Sequence, residues 1–375
     1  MRREVIQLIL AILFVTSSYA SPLIPVDSCA TEQTVALYNN LHAIPTKGVL
    51  FGQQDATTMG HIWASVTNDR SDIKEMCGSH PAMIGADFSK LCSNDPSKVT
   101  QAKLALVNQI IATYNRGGIT TICWHMTNPM NDGSFYWKDS KKRAVDEMLP
   151  GGKVNKKYKK WLKNVADVMN LISGNEGEMI PIIFRPFHEF DGDWFWWGAS
   201  HCSTEDFIAL WRYTVTYLRD ELGIHNLLYA FSPDCRFETA EELLARYPGD
   251  EYVDIIAFDE YHDFKPGKSY NPELAQKKSI IISEVARERG KISAMSETGL
   301  EEVTDSTWYS QVLLPILKDE RVTFSYVMVW RNSNYGKTHY YAPFKGHPAE
   351  SDFIKFYDDN YTIFEDSIGN IYKLP

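Results

Sequence analysis

The feature that most constrains the fold of this chain is an alternation of short β-branched runs with longer amphipathic stretches. The short apolar runs lie at residues 48–52, 83–87, 119–124, 180–185, 227–231, 255–258, 293–296 and 324–330. Stretches with the helical period fill nearly every gap, and several end at glycine, where helices commonly stop. Eight strands that alternate with helices are typical of a (β/α)8 TIM barrel, so we predict this α/β fold.

The amphipathic stretches predict the helices of this barrel. They lie at residues 99–115, 158–172, 204–222, 239–247, 272–289 and 306–317. An open, doubly wound sheet is the alternative, but it usually carries a glycine-rich phosphate-binding turn after its first strand, and Gly52-Gln53-Gln54-Asp55 is not one. Since no Gly/Ser-rich or Pro-rich linker divides the chain, we expect residues 21–375 to form a single domain.

Residues 1–20 have the pattern of a secretory signal peptide. Arg2 and Arg3 precede the apolar run 8–15, and Ser18-Tyr19-Ala20 is a small-x-small cleavage signal. The run is too short to span a bilayer as a stable helix. We therefore expect cleavage near Ala20 and a protein exported to the periplasm or the cell exterior; an uncleaved anchor is the alternative.

The charge and the cysteines restrict the partners. The 38 Lys and Arg against 48 Asp and Glu give a net charge of −10, which argues against nucleic acid or an anionic membrane and is compatible with a neutral polysaccharide. The six cysteines match no zinc pattern. Export permits disulfides, with Cys77–Cys92 and Cys202–Cys235 as candidate pairs, and Cys123 is expected to be a buried free thiol.

Polar and aromatic side chains follow many of the predicted strands directly, at the end where barrel enzymes build their active sites. In chain order these are Asp87, Trp124 to Pro129, Arg185 to Trp197, Asp259 to His262, Ser296 to Gly299, and Trp330 to Asn332. Phe195, Trp196, Trp197 and Trp330 stand beside charged residues, so we expect them to face a flat ligand such as a sugar ring.

Two glutamates in this set suit glycoside hydrolysis, which needs two carboxyl groups that flank one bond. Glu189 follows the fourth strand and Glu297 ends the seventh, so both can point into one cleft. Glu189 adjoins Phe190 and a Trp-rich loop, and apolar surroundings favour a protonated acid. The alternatives are a strand-end salt bridge for either residue and a non-catalytic carbohydrate-binding barrel.

Glu297 has a more polar setting, between Ser296 and Thr298, with Arg185 and Arg331 as candidate partners. Hydrogen bonds and positive charge favour the ionised form that a nucleophile requires.

Rival chemistries have less support. The segment 188–193 departs from the calcium-loop pattern and lacks the His-Glu-x-x-His spacing of zinc enzymes. The chain also has no Gly-x-Ser-x-Gly elbow for acyl transfer. We therefore predict no metal and no cofactor.

The rim motifs resemble the β-mannanases of glycoside hydrolase family 26, which are retaining (β/α)8 enzymes. The motifs that carry the resemblance are Gly52-Gln53-Gln54, Trp124-His125-Met126 with Asn128-Pro129, His188-Glu189 with Trp194, Phe258-Asp259-x-Tyr261, Ser296-Glu297-Thr298-Gly299, and Trp330-Arg331-Asn332. The resemblance implies that Glu189 is the acid/base and Glu297 the nucleophile, about 5–5.5 Å apart. Around the attacked mannose it implies His125, His188, Trp194, Tyr261 and Trp330, with Asp259 and Arg331 at neighbouring positions.

The resemblance also implies the substrate, a β-1,4-linked mannan, galactomannan or glucomannan, or a manno-oligosaccharide, bound by a monomeric single catalytic domain. Related β-xylanases and β-glucanases of the same family remain alternatives. So does a mannobiose-releasing exo-enzyme, since residues 132–160 and 263–271 are loops that could close off subsites.

Overall fold

Eight parallel strands close into a barrel in the computed structural model of the chain, which describes residues 22–267 and 269–374. We number them β1 (Val49–Gln54), β2 (Met83–Asp87), β3 (Ile119–Cys123), β4 (Ile182–Arg185), β5 (Leu227–Phe231), β6 (Ile255–Glu260), β7 (Ile292–Thr298) and β8 (Phe324–Val329). Neighbours pair in chain order, and β8 also pairs with β1, which closes the sheet. Each apolar run overlaps one strand, and the predicted (β/α)8 barrel is confirmed.

Helices surround the strands. They are α1 (Glu32–Ala43), α2 (Asp72–Cys77), α3 (Pro96–Asn115), α4 (Trp137–Ser140), α5 (Val145–Met148), α6 (Asn155–Met169), α7 (Thr204–Thr216), α8 (Ala240–Leu243), α9 (Pro272–Glu288), α10 (Leu314–Leu317) and α11 (Glu350–Tyr357). Short 3₁₀ turns lie at Ile44–Thr46, Ser89–Cys92, Asp250–Tyr252 and Glu301–Val303, and π turns at Tyr217–Glu221 and Tyr309–Leu313. Outside the barrel, Met59–Gly60 pairs with Trp63–Ala64, and Thr362–Ile363 adds to β1.

The helix limits follow local chemistry. At α3, the Asp95 side chain accepts the amide of Ser97 at 2.9 Å, and Pro96 takes the first helical position, where its missing N–H costs nothing. The helix predicted at 306–317 forms only as a π turn followed by α10, and Pro315, which cannot donate an intrahelical hydrogen bond, lies inside it. Between β1 and β2 lie a small hairpin, whose two strands have two residues each, and the six-residue α2.

The strands are buried on both faces, as in parallel sheets covered by helices. The inner core includes Leu50, Met83, Ile119, Ile183, Leu228, Ile255, Ala294 and Tyr326. Leu37 and Leu41 of α1 belong to the same cluster, so α1 covers the N-terminal end of the barrel. The outer core lies between strands and helices and takes the alternate side chains, such as Phe51. A filled barrel leaves the C-terminal rim as the place for a site.

All six cysteines are free, so the candidate pairs Cys77–Cys92 and Cys202–Cys235 are wrong for this structure. Cys92 instead accepts the indole N–H of Trp124 at 3.2 Å. The predicted burial of the Cys123 thiol is confirmed.

The predicted signal peptide lies outside the described residues and stays a prediction. In residues 22–267 and 269–374, no helix combines the length and the apolar character that a membrane crossing requires.

Candidate active site

The ends of β4 and β7 bring the two predicted glutamates to the same mouth of the barrel. Glu297 lies inside β7, and Glu189 lies in the turn that follows β4. In this turn, Phe187 and Glu189 adopt left-handed backbone angles, with φ of 50° and 52°. The Glu189 amide donates to the carbonyl of Ser232, next to β5, at 2.9 Å. The turn thus reverses the chain sharply and fixes Glu189 at the rim.

One carboxyl oxygen from each of Glu189, Glu297 and Asp259 lies within 4.8 Å of the other two. Retaining glycosidases hold their two carboxyl groups about 5–5.5 Å apart, whereas inverting enzymes leave about 6.5–9.5 Å for a water molecule. The spacing of Glu189 and Glu297 therefore suits direct attack by one carboxylate while the other protonates the leaving group.

Arg185, the last residue of β4, ties Glu297 to Asp259. Its Nη2 forms an ion pair with Glu297, and its Nη1 donates to Asp259 at 2.8 Å. Tyr261 donates its hydroxyl to the second oxygen of Glu297 at 3.0 Å. Each oxygen of Glu297 therefore has its own donor, which fixes the orientation of the carboxylate.

Asp259 lies behind this pair and is fully buried, so it does not line the cleft. Ser232 and Ser296 donate their hydroxyls to its Oδ1 at 2.9 and 2.8 Å. Burial raises the pKa of Asp259 well above its usual range, while Arg185 opposes that shift. The resemblance implies that Asp259 shapes a position next to the attacked sugar; in the structure its buried side chain instead anchors Arg185.

Glu189 has the opposite setting. It is 9% exposed, and its Oε2 accepts the indole N–H of Trp194 at 2.6 Å. Burial raises the pKa of Glu189 well above its usual range, and the charges of Asp259, Glu297 and Asp234 raise it further, whereas the bond from Trp194 lowers it. A carboxyl that keeps its proton near neutral pH is suited to protonate a leaving group.

Two histidines form the wall beside the glutamates. The Nε2 atoms of His125 and His188 lie 3.2 Å apart in a hydrogen bond, and His125 Nδ1 bonds Asp87 Oδ2 at 2.7 Å. Burial lowers the pKa of His188 well below its usual range, and the positive charge of Arg185 adds to this effect. His188 is therefore neutral, and Asp87 sets the orientation of His125.

Trp330 and Arg331 follow β8 on another part of the rim. The Trp330 ring lies 5.9 Å from His125 and is partly exposed, as a sugar-stacking ring must be. Arg331 Nη1 lies 3.5 Å from Asp55 Oδ2, just after β1, so this guanidinium pairs with Asp55 and not with Glu297. Burial raises the pKa of Asp55 to about 6, and Arg331 opposes that shift.

The aromatic run after Glu189 divides into two groups. Trp196 and Trp197 are fully buried, and their indoles donate to the carbonyls of Met126 and His188, both at 2.8 Å. Phe195 is 4% exposed and stacks on Trp197 at 4.5 Å. The expectation that these three rings face a ligand is wrong, because all three are buried in the core and both indole N–H groups are satisfied there. Trp194 is partly exposed and lies at the cleft.

Among residues 22–267 and 269–374, two groups of three side chains could in principle offer metal ligands. In the first, Arg185 already donates to two of the three carboxyls, Glu297 and Asp259, and supplies the positive charge that a cation would bring. The second is Asp87, Cys123 and His125; burial raises the pKa of the Cys123 thiol well above its usual range, which disfavours the thiolate that binds metals. Neither donor set fits a metal well.

The sequence reading missed the residues after β1 and β5. Ser232 directly follows β5 and contacts Arg185 at 3.3 Å, and Asp234 raises the pKa of Glu189 by its charge. Asp55 directly follows β1 and pairs with Arg331. All three would have been found by applying the strand-end rule to these two strands as well, since each lies within three residues of an apolar run.

Comparison with known proteins agrees with this geometry. Residues 26–311 match the sequence profile described as glycosyl hydrolase family 26. A mannan endo-1,4-beta-mannosidase of Bifidobacterium adolescentis is 34% identical over 355 residues, which cover 89% of this chain and 35% of the relative. The chain thus spans about a third of the length of that relative.

Solved structures of this family superpose on the barrel. A GH26 β-mannanase from Bacteroides ovatus is 36% identical, with a TM-score of 0.83 over 92% of this chain and 98% of the other. GH26C from Muricauda sp. is also 36% identical, with a TM-score of 0.84 over 94% and 96%. A family match across most of the chain, the barrel and the paired glutamates show that the chain belongs to glycosyl hydrolase family 26.

Proposed function

We propose that this glycoside hydrolase is a retaining β-mannanase that cleaves β-1,4-mannosidic linkages in mannan, galactomannan or glucomannan. The observation that carries the proposal is the pair Glu189 and Glu297, with carboxyl oxygens within 4.8 Å of each other and with contrasting surroundings. The printed names of the Bifidobacterium and Bacteroides relatives support mannan as the substrate and, for the former, internal cleavage.

In the first step, the Glu297 carboxylate attacks the anomeric carbon while Glu189 gives its proton to the glycosidic oxygen. The leaving sugar departs as an alcohol, and a covalent glycosyl-enzyme remains on Glu297. One Glu297 oxygen must leave its donor to form this bond. Tyr261 holds its oxygen by a single neutral hydrogen bond, whereas Arg185 holds the other by an ion pair, so we assign the attack to the oxygen bonded by Tyr261.

In the second step, Glu189, now a carboxylate, removes a proton from water, and the hydroxide attacks the anomeric carbon. The bond to Glu297 breaks, and the sugar is released with its configuration retained. Arg185 stabilises the carboxylate of Glu297 as it is expelled, since it pairs with Glu297 and Asp259 together.

The remaining rim residues bind the attacked sugar. His125 and the neutral imidazole of His188 can exchange hydrogen bonds with its hydroxyls, and Trp330 offers an aromatic face. Trp194 lies on the leaving-group side with Glu189. Arg331 with Asp55 extends the polar surface beyond Trp330.

The test is a reducing-end assay on mannan, xylan and mixed-linkage glucan, with Glu297→Ala as the inactive variant and exposed Glu288→Ala as the matched control. We expect the wild type and Glu288→Ala to release sugar from mannan fastest and Glu297→Ala to release essentially none. Faster cleavage of xylan or glucan would replace the substrate assignment, and unchanged turnover in Glu297→Ala would remove the nucleophile. A spread of mannohexaose products supports internal cleavage, and mannobiose alone indicates a mannobiose-releasing exo-enzyme.

We further propose that residues 1–20 direct export and that residues 21–375 act as one catalytic domain in the periplasm or outside the cell. The positive start, apolar run and Ala20 cleavage signal support this. N-terminal sequencing of the exported protein should begin at Ser21; a start at Met1 on membranes would indicate an anchor.

A further inference from the structure

Trp194, the hydrogen-bond donor to Glu189, is itself held by contacts on two sides. The guanidinium carbon of Arg236 lies 4.9 Å from the centre of its ring, within the range of a cation–π interaction. Gly192 packs on the same indole, since a Cβ at this position would come within 2.4 Å of the ring. The direction of the N–H therefore depends on Arg236 and Gly192 as well as on Glu189.

Arg236 pairs in turn with Asp234, three residues after the end of β5. Its Nε lies 3.4 Å from Asp234 Oδ2, and its side chain is 53% exposed at the cleft. The Asp234 amide donates to Asp191 Oδ1 at 2.7 Å, and the backbone of Asp234 pairs with that of Asp259 in an isolated parallel β-bridge. The positive charge of Arg236 also contributes to lowering the pKa of Asp193. The segment that carries Asp234 and Arg236 is thus fixed by backbone contacts beside Asp259.

We propose that Arg236 is a positioning residue for the proton donor: with Asp234, it holds the Trp194 indole in the orientation that hydrogen-bonds Glu189. The proposal rests on the acid/base role of Glu189 given above. Arg236 need not touch the reacting atoms, because it acts through Trp194 and through its compensation of the Asp234 charge.

This arrangement predicts the direction in which loss of Arg236 shifts the pKa of Glu189. The charged and titratable groups that face Glu189 are Asp234, Asp259, Glu297, Tyr136, Tyr261 and Tyr341. Removal of the Arg236 cation takes a positive charge away, leaves Asp234 uncompensated and loosens the bond from Trp194. Each of these changes disfavours the Glu189 carboxylate, so all three raise its pKa.

Loss of the Asp234 carboxylate acts in the opposite direction, since its charge raises the pKa of Glu189. Loss of the Arg236 cation and loss of the Asp234 carboxylate should therefore shift the basic limb of the pH profile in opposite directions. A merely structural role of Arg236 would not produce this contrast.

The experiment measures kcat/KM against pH with mannohexaose for the wild type, Arg236→Met, Arg236→Lys and Asp234→Asn. We expect the basic limb to move up by roughly 0.5–1 pH unit in Arg236→Met, the size expected for one charge several ångströms away in a half-exposed site. It should move down in Asp234→Asn and stay near the wild-type position in Arg236→Lys. At neutral pH, kcat of Arg236→Met should fall about tenfold, with KM changed less than about threefold.

A rise in KM without movement of the limb in Arg236→Met would mean that Arg236 binds the leaving-group sugar instead, and would overturn the proposal. The proposal would also be overturned if the basic limb moved in the same direction in Arg236→Met and in Asp234→Asn. If Arg236→Met fails to fold, a downward shift of the basic limb in Asp234→Asn with no shift in Arg236→Lys still supports the proposal, and an unmoved limb in Asp234→Asn overturns it. Failure of the wild type to cleave mannan would overturn the proposed function and not this role, which would then be measured on the β-glucan or xylan that is cleaved.

Discussion

The two glutamates of the active site are the same residue type in opposite surroundings. At the end of β7, Glu297 is held by a guanidinium and a phenol. In the turn after β4, Glu189 has a single indole donor and three neighbouring carboxyls that raise its pKa. Both carboxyls are buried, so the contrast in their proposed roles rests on the charge of their partners.

The largest effect should come from removing each of the two glutamates in turn. Glu189→Ala should lower kcat on mannan by about 10²–10⁴-fold, because general acid–base catalysis contributes about that much. With a 2,4-dinitrophenyl β-mannobioside, whose leaving group needs no proton, Glu189→Ala should still form the covalent intermediate and show a burst of dinitrophenol. Glu297→Ala should show no burst, and a burst in that variant would contradict the division of roles.

The second test removes the partner of the nucleophile. Arg185→Met should destabilise the fold by about 3–5 kcal/mol at neutral pH, because it leaves Glu297 and Asp259 buried without a compensating charge. Chemical denaturation measures this loss. Burial raises the pKa of Asp259, so this carboxyl takes up a proton first as the pH falls, and the loss should shrink. The same loss at pH 4 as at pH 7 would contradict the electrostatic explanation.

The third test acts on the proton donor alone. Gly192→Ala places a methyl group within 2.4 Å of the Trp194 ring and must displace the indole from Glu189. We expect kcat to fall roughly tenfold with little change in KM, as when an interaction made in the transition state is lost. Gly336→Ala is the matched control, because a Cβ there meets no atom within 4 Å. Equal activity of both variants would remove Trp194 from the mechanism.

The smallest effect should be a gain in stability. The folded-state pKa of Glu189 is raised, so its contribution is favourable while it is protonated and is lost as the pH rises from the unfolded value through the folded one. Glu189→Gln should therefore be more stable than the wild type by about 1–2 kcal/mol at pH 8, with the difference fading towards pH 4. If Glu189→Gln were less stable than the wild type at pH 8, the buried Glu189 carboxyl would not destabilise the fold at that pH.

Much of this contrast could be predicted from local sequence. Glu189 stands next to Phe190 and the Trp-rich loop, and Glu297 stands between Ser296 and Thr298, so their different surroundings are written in neighbouring residues. Their proton-donor and nucleophile roles remain proposals that the kinetics above would test. Trp196 and Trp197 could not be assigned in this way, because adjacent indoles can face either the cleft or the core. Their burial depends on the carbonyls that the fold brings to their N–H groups.

The barrel and the rim that carries the site can be predicted from the sequence, because strand and helix periods are properties of contiguous residues. Which rim residues meet depends on the three-dimensional fold. Arg185 reaches Glu297 across 112 residues of chain and Asp259 across 74, and Arg236 lies over Trp194 from a different loop. Such contacts depend on closure of the barrel and on strand register, which bring distant charges together where burial makes each of them count.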